Sequence, residues 1–295
     1  MSLTGQIKQN ISISLVLVIL MSGIIVGIGY IFDVHYAYHG FLTGMAIIFA
    51  TFTSIGSYWY SDRLILSLTE AREASFSEYT YLHNITEGLS IAAGIPKPKL
   101  FIIDDPAANA FATGRNPANG VIVVSTGLLN LLNRQEIEGV IAHEIGHLKN
   151  YDVLLGTIAA VLVGSVVILR DMILRFGFRR GARRGRGGNP ILLIIGVLLL
   201  ILAPFFMTLI KFAISRQREF LADATSAFLT RYPDGLISAL EKLETNKKIP
   251  LFASEAMAHL YIINPFSQSF DQIYLLSTHP PIEARVLRLK SIRGL

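Results

Sequence analysis

Residues 141–152 read IAHEIGHLKNYD. His143 and His147 stand at i and i+4, so on a helix they share one face, about one turn apart. Two imidazoles so placed can bind one metal ion, and Glu144, next to the first, can reach a water held by that ion. Upstream, Asn133 and Glu136 have the spacing of a capping box, which predicts a helix from about Arg134 to Asn150. Ile141, Ala142, Ile145 and Leu148 would pack the remaining sides of that helix. The chain contains no cysteine. A disulfide scaffold, a cysteine nucleophile and any thiolate metal site are therefore excluded. Zinc suits nitrogen and oxygen ligands in a tetrahedral catalytic site that keeps one position open. It lowers the pKa of its water towards neutrality, and Glu144 is placed to take that proton and pass it to a leaving amine.

Outward from this motif, the chain is strongly apolar. Its 295 residues are 52% hydrophobic and 16% charged, with a formal net charge of +5. Soluble domains are roughly 25% charged, so an ordinary soluble enzyme is disfavoured, and so is a disordered chain. Four stretches carry no charged side chain: residues 9–32, 40–61, 153–169 and 187–210. About 20 helical residues span the hydrocarbon of a bilayer. The first two predict an N-terminal transmembrane hairpin, with the first a retained anchor rather than a cleaved signal. Its short turn lacks Lys and Arg while its flanks carry Lys8, Arg63 and Arg72. The positive-inside rule then puts the N-terminus and residues 62–152 in the cytoplasm. The third and fourth runs predict a second membrane hairpin, and their connection holds seven arginines, Arg170 to Arg186, and one acid, Asp171. Two placements remain open for it: an outward loop set by the dominance of the first hairpin, or helices that enter from the cytoplasmic side without crossing. The Gly/Arg segment reads as lying on anionic lipid headgroups. Without interleaved aromatics it does not read as a nucleic-acid arm.

The polar parts predict a mainly α protein with a small α+β catalytic unit of zincin type. Helical spacing of apolar residues extends through residues 62–94, ending at Gly94 with Pro96 beyond. Three strand-like pieces follow, KLFIID (99–104), NAFATG (109–114) and VIVVS (121–125), separated by turn residues. They are expected to form a three-stranded meander. Further helices are expected near 212–230, 234–246 and 281–292. The chain thus divides into an N-terminal hairpin (1–61), a first catalytic part (62–152), a second hairpin (153–210) and a second catalytic part (211–295).

A zinc site of this kind needs a third ligand, and no third histidine stands shortly after the motif, where LKNYD follows. Downstream, SRQREFLADATSA (215–227) places Glu219 and Asp223 at i and i+4. Glu219 could complete a two-His, one-Glu site. Asp223 could accept the free ring N–H of a ligating histidine and fix its tautomer. The same spacing also suits a solvated charge pattern with Arg216 and Arg218. A hairpin over residues 153–210 would return the chain to the side it left, so the two segments could meet.

Taken together, NAFATG, VIVVSTGLL, AHEIGHLKNYD, SRQREFLAD, STHPPIEAR (277–285) and the apolar runs resemble the HtpX-type integral-membrane zinc metalloproteases, relatives of the Ste24 CaaX proteases. The resemblance covers nearly the whole chain. It implies that His143, His147 and Glu219 bind one zinc ion per chain, that Glu144 is the catalytic base and that Asp223 orients a ligand. It further implies that Asn109 and Ala110 lie on an edge strand that pairs with substrate backbone. His279 would lie near the developing oxyanion, and Arg285 near a substrate carbonyl or carboxylate. Asp152 either orients a site residue or ends the catalytic helix. The implied activity is endopeptidase cleavage of membrane or misfolded proteins at the cytoplasmic face of the plasma membrane, in quality control and stress response. A CaaX-type processing protease and a non-catalytic metal-binding scaffold are the alternatives. Four apolar runs, fewer than in the Ste24 enzymes, and an intact motif count against them.

Overall fold

Apolar composition without charge yields two long helices at the start of the chain. The architecture is that of a computed structural model describing residues 3–36, 39–158, 216–246, 248–251, 261–262 and 280–292. Helix α1 (Leu3–Tyr36) and helix α2 (Phe41–Leu68) pack side by side. The chain reverses at His39 and Gly40, both in the left-handed region with φ of 51° and 88°. The Asp33 carboxylate accepts the Leu42 and Thr43 backbone N–H groups at 3.0 and 2.6 Å, satisfying two of the donors orphaned at the start of α2. Segments Lys8–Val34 and Phe41–Tyr60 are long and apolar enough to cross a bilayer. Their large side chains face outward, Val16 and Phe52 among them. Of the expected second hairpin, residues 153–158 are helical; the rest of it, with the Gly/Arg segment, lies outside the described residues.

The helix expected over 62–94 is two helices with a strand between them. Helix α2 ends at Leu68, Glu70 takes a φ of 51°, and strand β1 (Arg72–Glu73) follows before α3 (Thr80–Ala93) begins. Sheet pairing competes with the helix here. Arg72 and Glu73 pair antiparallel with Ile102 and Phe101, and the Ala74 N–H donates to the Leu100 carbonyl at 2.9 Å.

The sheet also differs from a meander. It has four strands in the order β1, β2 (Lys99–Ile103), β4 (Val121–Ser125), β3 (Ala110–Thr113). Strand β2 runs parallel to β4, and β3 pairs antiparallel with β4. The reason is compositional. The first four residues of β4, VIVV, are β-branched and apolar and the whole strand is buried, which suits a central place. The short, small-residue strand AFAT is left at the edge.

Alternation along the strands divides the core in two. Leu100, Ile102, Ala110, Ala112, Ile122 and Val124 face α3 and α5 (Arg134–Lys149) in the main core. Ile103, Phe111, Val121 and Val123 face the other way, against Ile65 near the end of α2 and against Tyr261. Short helix α4 (Thr126–Leu131) joins β4 to α5, and α6 (Arg216–Thr230), α7 (Pro233–Thr245) and α8 (Ile282–Ile292) close around α5. Every residue of α5 from Gly139 to Gly146 is buried. The expected capping box is present: Asn133 Oδ1 accepts the Glu136 N–H at 3.0 Å and the Glu136 carboxylate accepts the Asn133 N–H at 2.8 Å. Glu136 also accepts from Ser238 at 2.6 Å and Lys242 at 2.8 Å, tying α7 to the start of α5.

Helices α5 and α7 meet backbone to backbone at Gly139, where a Cβ would lie 2.7 Å from the Leu236 nitrogen. Gly88, exposed in mid α3, has nothing within 4 Å. Gly139→Ala is therefore expected to cost about 1–3 kcal/mol by overpacking. Gly88→Ala is expected to gain about 0.5–1 kcal/mol from helix propensity. Thermal unfolding of the detergent-solubilised protein checks both; equal effects would contradict the packing described.

Candidate metal centre

Helix α5 presents His143 and His147 on one face, with ring centroids 4.7 Å apart and planes nearly perpendicular. Their Nε2 atoms lie 3.1 Å from each other. Each ring turns its other nitrogen outward to a carboxylate. His143 Nδ1 is 3.0 Å from Asp223 Oδ1, and His147 Nδ1 is 3.1 Å from Asp152 Oδ2. A carboxylate at Nδ1 fixes that nitrogen as the donor and leaves the Nε2 lone pair bare. Two Nε2 atoms 3.1 Å apart must share a positive charge, either a proton on His147 or a metal ion held by both rings.

Glu219, on the first turn of α6, completes the group. Its carboxylate oxygens lie 3.7 Å from His143 Nε2 and 3.5 Å from His147 Nε2. Ligands at about 2.0–2.1 Å in tetrahedral geometry stand about 3.3 Å from one another. The observed 3.1–3.7 Å matches that spacing, so these three side chains could hold one metal ion. Gly146 makes the approach of α6 possible: a Cβ there would lie 3.2 Å from the Ala222 Cα.

Glu144 points from the same helix turn towards β3 and is 2% exposed. Desolvation lifts its pKa from the usual carboxylate range to about 7, with Glu219 adding to the rise and His147, Arg285 and the Ala112 backbone opposing it. A carboxyl poised near neutrality is what a general base requires. Burial pulls the His147 pKa down, but its hydrogen bond to Asp152 and the charges of Glu219, Asp152 and Glu144 outweigh this and hold it at about 9. The groups that favour a proton on that ring also favour a divalent ion beside it. His143 is driven down by burial and by Arg285, against the pull of Asp223.

The Arg285 side chain is buried against Asp223 rather than presented at the surface. Its Nε and Nη2 donate to the two Asp223 oxygens at 2.9 and 2.7 Å, its Nη1 donates to the Ile262 carbonyl at 3.2 Å, and Glu219 lies 3.5 Å away. Burial would raise the Asp223 pKa, but Arg285 and the His143 bond keep it well below the carboxylate range. Asn109 and Ala110 stand at the start of the edge strand. The Asn109 carbonyl accepts the Ser125 N–H at 2.9 Å, and the Ala110 carbonyl, facing away from β4, accepts the Ile262 N–H at 3.2 Å. His279 lies outside the described residues. Sequence reasoning missed Arg218, which reaches within 3.8 Å of Asp152. It also missed Asn10 of α1, which donates to Asp152 at 2.7 Å. The one signal in the sequence for the last is a polar residue at the border of an apolar run.

The family model for peptidase family M48 matches residues 77–293. The chain belongs to peptidase family M48. It is 53% identical over 246 residues to a protease HtpX homolog of Dictyoglomus turgidum, covering 83% of this chain and 80% of the relative. Against the HtpX homolog of Thermoanaerobacter pseudethanolicus it is 45% identical over 291 residues, 96% of each chain. Against that of Pyrococcus furiosus it is 46% identical over 278 residues, 92% of each. Among solved structures, S. mikatae Ste24p shares the fold with a TM-score of 0.52 and 21% identity, over 97% of this chain and 67% of that one. As a member of family M48 the chain is a metallopeptidase, and two of its helices are long and apolar enough to cross a membrane.

The buried Glu144 leaves a signature in stability. Its carboxyl is ionised above about pH 4.5 when unfolded and above about 7 when folded. Stability is lost as pH rises between those values and is flat above them. In chelator-stripped protein, Glu144→Gln is therefore expected to melt progressively higher than wild type from pH 5 to pH 8, by at most about 3 kcal/mol. A pH-independent difference in melting temperature would contradict the assigned burial.

Proposed function

We propose that the chain is a membrane-bound zinc endopeptidase, with His143, His147 and Glu219 as the zinc ligands and Glu144 as the general base. The observation that carries this reading is the convergence of two outward-anchored imidazoles and one carboxylate at tetrahedral spacing, with the buried Glu144 carboxyl one residue from the first ligand. When bound, zinc supplies Lewis acidity that makes a water nucleophilic and polarises the scissile carbonyl. Glu144 takes the proton from the attacking water and delivers it to the departing amine, so that one water is added across one peptide C–N bond. Asp223 and Asp152 hold the two imidazoles in the Nδ1–H tautomer. Arg285 keeps Asp223 ionised within the core and so acts through it on His143.

The substrate lies extended along the outer edge of β3. There the Ala110 carbonyl and the Ala112 N–H face away from β4, and backbone pairing at Asn109 and Ala110 aligns the scissile bond with the metal. The Ala110 carbonyl now accepts the Ile262 N–H, so substrate takes its place by exchanging with that bond. His279 is assigned as a hydrogen-bond donor to the developing oxyanion. The substrates are membrane or misfolded proteins, cleaved at the cytoplasmic face of the plasma membrane in quality control and stress response. The charge bias about the first hairpin supports that orientation.

Casein cleavage and bound zinc, measured on the same detergent-solubilised samples, test the assignment. Glu144→Gln is expected to retain one zinc per chain and lose cleavage by at least about a hundredfold, the lower end of a general base's contribution. Glu219→Ala is expected to bind zinc at least about tenfold more weakly. Chelation should abolish activity and zinc restore it. Wild-type cleavage by Glu144→Gln, or unchanged zinc affinity in Glu219→Ala, would overturn these roles.

A further inference from the structure

Asn10 stands apart from its surroundings on α1. Ile11, Leu15, Val16 and Ile19 around it are exposed, 44–62% each, as suits lipid-facing positions, whereas Asn10 is 2% exposed. It begins a buried stripe with Ser14, Leu17 and Met21 at helical spacing. A carboxamide in that position must find partners or cost its desolvation. Its Nδ2 donates to the Asp152 Oδ1 at 2.7 Å and to the Asn150 carbonyl at 3.0 Å. Both partners are pure acceptors, so the chemistry fixes which end of the amide faces them. Asn150 is the C-cap of α5, where backbone carbonyls lack helical partners. Asp152 is the carboxylate whose other oxygen lies 3.1 Å from His147 Nδ1. One side chain of the first apolar helix thus grips both the end of the helix that carries the two histidines and the group that orients one of them.

We propose that Asn10 is a positioning residue for the metal centre: by holding Asp152 and the end of α5, it fixes the ring of His147 and couples the seating of α1 to metal retention. The inference rests on the reading of His143, His147 and Glu219 as a zinc site. Lys8 opens the apolar segment of α1, and Asn10 lies about 3 Å further along the helix axis. The centre is therefore wired to α1 at the level where that helix enters the apolar layer. Arg218, 3.8 Å from the same Asp152 oxygen, attaches α6 to the node. Asn10 reaches Asp152 from the membrane side and Arg218 reaches it from the segment that carries Glu219.

The test uses full-length protein in detergent and competition for zinc with a chromophoric chelator. Asn10→Ala is expected to weaken zinc binding about tenfold, the low end for a group that orients a metal ligand. At saturating cobalt its visible spectrum should differ from wild type, because the ligand field reports how His147 is held. In casein cleavage kcat should fall and KM stay, since no substrate contact is removed. Leu17→Ala, on the same stripe but without a polar partner, is expected to leave zinc affinity and the cobalt spectrum unchanged. Asn10→Ser, which keeps a short donor and folds more readily if the alanine variant does not, should fall between wild type and Asn10→Ala. In a cycle with Asp152→Asn, the double variant should lose less than the two single losses combined. A wild-type protein that binds no zinc overturns the reading of the site and this assignment with it. A wild type that binds one zinc, with the Asn10 variants within about twofold of it and spectrally identical, overturns the Asn10 assignment alone. Equal loss in Leu17→Ala also overturns it, as loose helix packing would then suffice.

Discussion

The outward donation of each imidazole N–H to a carboxylate is the constraint on which the rest depends. A neutral histidine has one donor and one acceptor nitrogen. With Nδ1 given to Asp223 or to Asp152, each neutral ring is left only Nε2 as an acceptor, and the two Nε2 atoms meet 3.1 Å apart, where a proton on His147 or a metal ion must stand between them. Neither carboxylate belongs to α5 itself. Asp223 comes from α6 and Asp152 from the turn after α5, so the tautomers of the two rings depend on three segments being docked together. The burial of α5 on every side is the packing expression of the same requirement. A helix that must hold two rings within a few tenths of an ångström cannot be left on a surface to fray.

Charge balance explains the unusual density of ionisable groups in this core. Glu144, Glu219, Asp223 and Asp152 gather around the histidines, and two guanidiniums, Arg285 and Arg218, approach them. Four carboxylates against two guanidiniums leave two negative charges, the complement of a divalent ion. Without that complement protons answer the excess: His147 is held at about 9 and the Glu144 pKa rises to about 7. Asp223 escapes the same fate through its two-pronged bond to Arg285. The arrangement therefore separates four similar groups into different protonation behaviours. One acid is kept ionised to anchor a ring, and another is left ready to gain and lose a proton.

Much of this was legible in the sequence, and the exceptions have definable causes. The pair His143 and His147, the cap at Asn133 and Glu136, and the i, i+4 pair Glu219 and Asp223 were readable because each lies within one helix turn or two. The apolar runs announced α1 and α2 by length alone. Strand order was not readable, since nothing local in KLFII or VIVVS states that they are parallel neighbours; burial on both faces of VIVVS decides it. The break after Leu68 was hidden because β1 is two residues long and exists only through its partners Phe101 and Ile102. Arg285 read as a group that meets substrate because its true partner, Asp223, is 62 residues away. Asn10 was invisible for the same reason, with 142 residues between it and Asp152.

Those long separations carry a topological consequence. Asp152 and Arg218 bracket the third and fourth apolar runs, yet their side chains lie 3.8 Å apart. Asn10, at the outer end of the first apolar segment, touches the same aspartate. Helix α2 returns its end, at Ile65, to the far face of the sheet whose other face packs on α5. The start of α1, the end of α2, the exit of α5 and the entry of α6 therefore meet in one region. Were the chain to cross a bilayer an odd number of times between residues 158 and 216, Glu219 would stand across the membrane from the histidines, which its 3.7 and 3.5 Å distances from their Nε2 atoms exclude.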